Sequence, residues 1–282
     1  MNHKLLKLGI LFLALFATDS SYAQETFLYK EIDSVELYLE VYAPPQQDTS
    51  LDYPAMVFYF GGGWKSGDRN HFLPHAKYFA QRGIVCFLAD YRIKNKHQAN
   101  PFESLMDAKS AIRYIRANAS LFHIDPNKII ASGGSAGGHL ATATAMIDAY
   151  DDPTDDLQVS CVPNALVLFN PVFDNGPGGY GYERVGAAYK DFSPLHNIEV
   201  GAPPTIVFLG TNDRLIPVET AHYFTKVMEK VGSRCELKLY EGGKHGFFNY
   251  KFFENYQQTI EEADAFLQSL GYLGAEPLIK IE

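Results

Sequence analysis

The sequence predicts an α/β protein: one mostly parallel, eight-stranded sheet wrapped by helices on both faces. Three observations lead there. Apolar runs punctuated by Gly, Pro and Asp alternate along the chain with segments of helical periodicity. The later runs are continuously apolar, which is how strands covered on both faces read. No repeat, low-complexity tract or Ser/Gly linker divides the 282 residues, and 46% hydrophobic with 20% charged residues suits one large core.

In chain order, the first residues place Lys4 and Lys7 before an apolar stretch from Leu8 to Ala17, then end in the small-residue pattern Ser21-Tyr22-Ala23. A secretory signal peptide over 1–23 is expected, cut after Ala23, with 24–282 as a single domain that is secreted or periplasmic. The stretch is well short of the roughly 20 apolar residues that span a bilayer, and no cysteine follows it to carry a lipid. No membrane association is expected once the signal is removed.

An edge hairpin follows over 27–32 and 36–43, alternating polar and apolar residues as a strand with one wet face does. Strands are then expected at 55–60, 84–89, 128–132, 165–170, 205–210 and 236–241. Helices are expected at 71–82, 104–118, 136–148, 218–231 and 254–269, the second marked by Leu105, Ala108, Ile112 and Ile115 at spacings of three and four. Gly271 supplies a stop for the last. The Gly- and Tyr-rich stretch 172–200 breaks the pattern and reads as an irregular excursion over the carboxyl ends of the strands.

A net charge of −9 argues against phosphate backbones and anionic membrane surfaces, so no nucleic-acid partner is expected and neutral substrates are favoured. Cys86, Cys161 and Cys235 lack metal-type spacing, and no disulfide is expected among them.

Gly133-Gly134-Ser135-Ala136-Gly137 matches G-x-S-x-G between an apolar strand and a helix-forming run. A serine held on so sharp a strand-to-helix turn needs strained backbone and close chain approach, which side chains at 133 and 137 would block. The turn aims the hydroxyl into a pocket and leaves the Ala136 N–H free to face an oxyanion at the helix N-terminus. The pentapeptide alone also fits a phosphate-binding or merely tight turn. A serine hydroxyl needs a base, and the base needs an orienting group. "TIVFLGTNDRLIP" delivers Asp213 just past one strand and "LKLYEGGKHGFF" delivers His245 just past the next, in the order Ser, acid, His. An ordinary turn-capping carboxylate is the plain alternative for Asp213. His139, four residues after Ser135, points away from the hydroxyl and suits a packing or solvent-facing role. "AMVFYF" runs straight into Gly61-Gly62-Gly63-Trp64, where successive glycines expose backbone amides to a developing negative charge; the alternative is a flexible loop.

Together "FGGGW", "ADYR", "GGSAGGHLA", "GTNDRLIP" and "GGKHGFF" resemble the α/β-hydrolase superfamily over about residues 26 to 270. The resemblance is to hormone-sensitive-lipase-like carboxylesterases and the short bacterial acetylxylan and feruloyl esterases. It implies Ser135 as nucleophile, His245 as general base and then acid, and Asp213 as the group orienting His245. It also implies oxyanion-hole amides from Gly62, Gly63 and Ala136, with Gly61 able to replace either of the first two, no metal or organic cofactor, and structural roles for Asp90-Tyr91-Arg92 and Asp107. Two departures stand out. Where the family has a His before the glycines this chain has Phe60, and there is no room before the first strand for a large helical cap. The expected site is therefore shallow and open, suited to a short acyl group on a bulky alcohol.

The resulting expectation is a serine carboxylic-ester hydrolase acting on a small-molecule or oligosaccharide ester and releasing acetyl, or else feruloyl, groups from carbohydrate. An amide or peptide hydrolase of formamidase type is the alternative, and a silent hydrolase fold used for binding is a third. Trp64 and the tyrosines of 176–182 offer either flat surfaces for sugars or packing for the excursion.

Overall fold

The computed structural model describes residues 24–275, so the signal peptide expected over 1–23 lies outside the described residues. Eight strands form one sheet: β1 (Gln24–Ile32), β2 (Val35–Tyr42), β3 (Tyr53–Tyr59), β4 (Val85–Ala89), β5 (Ile124–Gly134), β6 (Ala165–Phe169), β7 (Thr205–Gly210) and β8 (Cys235–Tyr240). Their spatial order is β1-β2-β4-β3-β5-β6-β7-β8, with β1/β2 and β2/β4 antiparallel and every later pair parallel. This is the mostly parallel sheet the pattern predicts.

Five longer helices cover it: α1 (Leu73–Gln81), α2 (Pro101–Ala117), α3 (Ala136–Met146), α4 (Val218–Lys230) and α5 (Phe253–Ser269). Strand alternation decides which helix lies on which face. Val57 and Tyr59 point into the core half that holds Leu105 and Ile112 of α2, Leu140 of α3 and Phe224 of α4. Their neighbours Met56 and Phe58 point into the other half, with Phe79 of α1 and Ile260 and Phe266 of α5. Helix α2 starts where Asn100 and Glu103 form a reciprocal capping box around Pro101, and these three residues fix its first turn.

Several boundaries shift by a few residues from expectation, and two of the shifts have a visible local cause. Strand β5 begins four residues before the expected 128, because its pairing with β3 resumes beyond an irregularity at Asp125-Pro126-Asn127 that reads as a turn in sequence. The helix expected over 71–82 opens instead as a 3-10 turn, Arg69–Phe72, capped by the Asp68 side chain.

The edge hairpin is tied down by charge. Lys30 of β1 lies 2.9 Å from Asp107 and 2.7 Å from Asp152, and Arg92 grips Asp107 from the other side at 2.8 Å. The four side chains Lys30, Arg92, Asp107 and Asp152 are buried or nearly so, a network in which each charge depends on the others. The three cysteines are free thiols, Cys86 and Cys161 buried and Cys235 half-buried.

Candidate active site

The elbow sits where β5 turns into α3. Ser135 adopts φ 55°, ψ −120°, a conformation that costs a non-glycine residue energy and persists only when its surroundings enforce it. They do so by close approach. A Cβ on Gly137 would fall 2.0 Å from the Tyr59 carbonyl oxygen, and one on Gly133 would fall 2.4 Å from Gly137 itself. The start of α3 thus rests directly on the end of β3, which only glycine allows. The Ser135 N–H donates to Phe169 O at 3.0 Å, tying the turn to β6, and Ser135 O accepts the first helical bond of α3 from His139 N–H, also at 3.0 Å.

Past the neighbouring strands, the turns after β7 and β8 lock into one another. Thr211 N–H donates to Tyr240 O and Asn212 N–H to Gly243 O, both at 2.9 Å, so the parallel pairing continues beyond the strands. This brings two distant side chains together. His245 Nδ1 lies 2.7 Å from Asp213 Oδ2, and His245 Nε2 lies 2.9 Å from Ser135 Oγ. Since a carboxylate only accepts, Nδ1 carries the proton and Nε2 is free to accept from the serine hydroxyl. The Asp213 side chain is fully buried, and its Oδ1 accepts from the N–H groups of Leu215 (2.8 Å) and Ile216 (3.1 Å). The carboxylate thus caps its own turn while also hydrogen-bonding His245.

The cleft beside Ser135 has a volume of about 640 Å³ and is lined by Gly62, Gly63, Tyr180, His245, Phe248 and Asn249 among others. The N–H groups of Gly62, Gly63 and Ala136 have no protein acceptor among the described residues. Gly61 differs, because its N–H donates to His71 Nδ1 at 3.1 Å. That leaves Gly62 and Gly63, with φ of 124° and 64°, as the glycine-loop amides open to a ligand. The loop is held from outside by Arg184, whose guanidinium donates to Gly63 O and lies 5.4 Å from the Trp64 ring and 5.0 Å from the Tyr180 ring. The expected excursion therefore reaches the site through Tyr180 and Arg184.

Trp64 offers no surface to a sugar. It is 1% exposed, enclosed by His139, Tyr180 and Phe192, at a backbone φ of 56°. His139 takes a packing role: it lies edge-on to Trp64, its Nε2–H donates to Phe192 O at 2.9 Å, and burial pushes its pKa down to about 4. Phe60 stacks on Tyr91 with centroids 4.1 Å apart, while the Tyr91 hydroxyl donates to Phe60 O at 2.7 Å. Sequence reasoning passed over three residues of this region: His71, Asn249 and Asn170. Asn170 Oδ1 accepts from Gly246 N–H at 2.9 Å, and His71 Nε2 lies 2.6 Å from Asn249 Oδ1. No spacing marks such residues, since partners 178 positions apart carry no periodic signal.

Comparison with known proteins places this architecture. A family model described as BD-FAE matches residues 39–165, and the dienelactone hydrolase family model matches residues 179–273. Esterase 2 of Thermogutta terrifontis, solved after phosphorylation by paraoxon, is 44% identical, with 90% of this chain and 96% of that chain covered and a TM-score of 0.86. The chain belongs to the α/β-hydrolase carboxylesterases. The same Thermogutta esterase with propionate bound aligns at 43% identity and TM-score 0.85, covering 90% of this carboxylesterase-family chain and 97% of its own. Among curated relatives, an acetylxylan esterase of Xylanibacter ruminicola is 25% identical over 96% of this chain, and an isoprenylcysteine alpha-carbonyl methylesterase of Arabidopsis thaliana is 29% identical over 73%. The carboxylesterase-family chain spans about half the length of the curated relatives it matches, 55% and 53% of these two.

Proposed function

We propose that this protein is a serine carboxylic-ester hydrolase that removes short acyl groups, acetyl foremost and feruloyl as the larger case, from carbohydrate. The observation that carries the reading is the unbroken hydrogen-bonded line from Ser135 Oγ through His245 to Asp213, at 2.9 and 2.7 Å, beside three unengaged amides. In this scheme Ser135 Oγ attacks the ester carbonyl as its proton passes to His245 Nε2, and Asp213 stabilises the imidazolium. The carbonyl oxygen, now negative, takes hydrogen bonds from the amides of Gly62, Gly63 and Ala136, each donor of this kind being worth about 10²–10³ in rate. The C–O bond to the alcohol breaks, and the alkoxide leaves with the proton from His245. Water then attacks the acyl-serine, giving its proton to His245, and the acid departs as Ser135 recovers its hydrogen.

The preference for short acyl groups is supported by the open cleft and by the propionate- and butyrate-bound forms of the Thermogutta esterase. Carbohydrate as the alcohol is supported by the acetylxylan esterase relative. Export by a signal peptide over 1–23 is part of the same proposal and rests on the Lys4–Ala23 pattern; the N-terminal residue of the protein recovered from its native host should be Gln24.

Ser135→Ala should abolish hydrolysis of p-nitrophenyl acetate, and acetate should be released from acetylated xylan by the unaltered protein. Retention of most turnover in the variant would sink the nucleophile assignment. Faster cleavage of an acyl anilide or an N-formyl amine than of the acetyl ester would favour the amidase reading instead.

A further inference from the structure

His71 stands on the 3-10 turn before α1, outside the triad, and its tautomer can be read from its partners. A backbone N–H only donates, so Nδ1 accepts from Gly61 N–H at 3.1 Å and the ring proton resides on Nε2. From there it donates to Asn249 Oδ1 at 2.6 Å. The Asn249 amide cannot be turned over, because its Nδ2 donates to Gly246 O at 2.6 Å. Gly246 follows His245 directly, and its own N–H is held by Asn170 Oδ1 at 2.9 Å. An ordered chain of hydrogen bonds therefore runs from the loop bearing Gly62 and Gly63 to the turn bearing His245, without passing through Ser135. Each link has one consistent direction. The imidazole is fixed in place by Phe72 and Phe248, with centroids at 4.8 and 5.7 Å. Phe60, at the position where the resemblance leads one to expect a loop-holding His, has no hydrogen-bonding side chain and stacks on Tyr91 instead.

We infer that His71, with Asn249, is the positioning residue that sets the oxyanion loop against the His245 turn, and that it must be neutral to do so. The inference rests on the esterase reading above and deepens it. Protonation of Nδ1 would place a donor against the Gly61 N–H and release the loop. The surroundings oppose that state on balance: burial lowers the His71 pKa and the charge of His245 lowers it further, while the Asn249 bond and Asp68 work the other way. The remaining titratable neighbour, His75 on α1, is fully buried and kept neutral by desolvation.

The test compares steady-state turnover of p-nitrophenyl acetate by the full chain and five variants, four single and one double. His71→Phe keeps the ring packing and removes both hydrogen bonds, and should lower kcat by about 100-fold with KM changed less than threefold, the scale of a misplaced catalytic group. His71→Asn puts an amide oxygen near the position of Nδ1 and should recover at least tenfold over His71→Phe. His71→Gln mimics Nε2 instead and should not. Asn249→Asp places a carboxylate against Nε2, which favours the imidazolium, so the acid limb of kcat should move up by about one pH unit. That shift should vanish when His71→Asn is also present, because the imidazole that the new carboxylate acts on is then gone. Kcat of His71→Phe within threefold of the unaltered chain, or equal rescue by Asn and Gln, overturns the positioning role. If His71→Phe does not fold, the Asn-against-Gln comparison and the pH profile decide in the same way. An unaltered chain with no Ser135-dependent turnover overturns the esterase reading itself, a separate result.

Discussion

Replacing Asp213 by asparagine should remove nearly all turnover while leaving the fold in place. The reason lies in what each oxygen of the carboxylate does. Oδ1 accepts from Leu215 and Ile216 N–H, and Oδ2 accepts from His245 Nδ1. Asparagine has one acceptor and one donor, so it can satisfy only one side. Keeping the oxygen toward Leu215 and Ile216 preserves two bonds, whereas flipping it would put an NH₂ against two backbone donors. The turn therefore selects the rotamer that presents NH₂ to His245 Nδ1. That nitrogen must then accept, the ring proton moves to Nε2, and Ser135 Oγ faces a donor instead of a base. The loss in kcat for a wrong tautomer of this kind is about 10⁴, roughly 5 kcal/mol of transition-state stabilisation. The assay is p-nitrophenyl acetate hydrolysis beside a urea titration, with stability expected to fall by less than about 1 kcal/mol because the turn keeps its bonds. Asp213→Ala should match the rate loss but be less stable, since it strands two backbone donors. A folded Asp213→Asn protein within tenfold of full activity would refute the tautomer argument.

Other expectations follow from packing and charge. Gly137→Ala would set a methyl 2.0 Å from Tyr59 O and 2.4 Å from Phe60 O, both backbone atoms that cannot rotate aside. The cost should reach or exceed the roughly 1–3 kcal/mol of ordinary overpacking and should also displace the glycine loop; an unchanged melting temperature would contradict the close approach. Asp107→Ala should cost about 3–5 kcal/mol in a urea titration by leaving buried Lys30 and Arg92 short of a counter-charge, and a loss under 1 kcal/mol would show that the network contributes little. Stability should also fall in acid through His139, whose folded pKa of about 4 lies below the roughly 6.5 of an unfolded histidine. As the pH drops below about 6.5 the unfolded chain takes up the proton first, so stability is lost progressively until about pH 4, up to roughly 3 kcal/mol in all. His75, held well below the ordinary histidine value by burial, acts in the same direction. Urea midpoints of the unaltered chain and of His139→Gln across that window should differ in slope, and parallel curves would rule out the linkage.

What could be read from the sequence is what local chemistry encodes. Continuous apolar runs announced strands covered on both faces, and "GGSAG" between a strand and a helix announced the elbow, because strain at Ser135 and contact at Gly137 both demand glycine nearby. The order of Asp213 and His245 after successive strands was legible for the same reason: parallel strands deliver their following loops to one rim. The 3-10 start at Asp68 and the early start of β5 were not, since turn residues such as Asp125 and Pro126 look alike whether or not a partner strand continues past them.

The sequence by itself determined the class of fold, the elbow and the identities of the residues that line up beside it. Only the tertiary structure decided which groups meet: that Trp64 turns inward, that the Gly61 amide is already engaged, and that His71 and Asn249 join two loops 178 residues apart. Periodicity and turn chemistry act over a few neighbouring residues, whereas these meetings depend on sheet register and on helices packed over both faces. A side chain's partner is set by that assembled geometry, to within the few tenths of an ångström that a hydrogen bond tolerates.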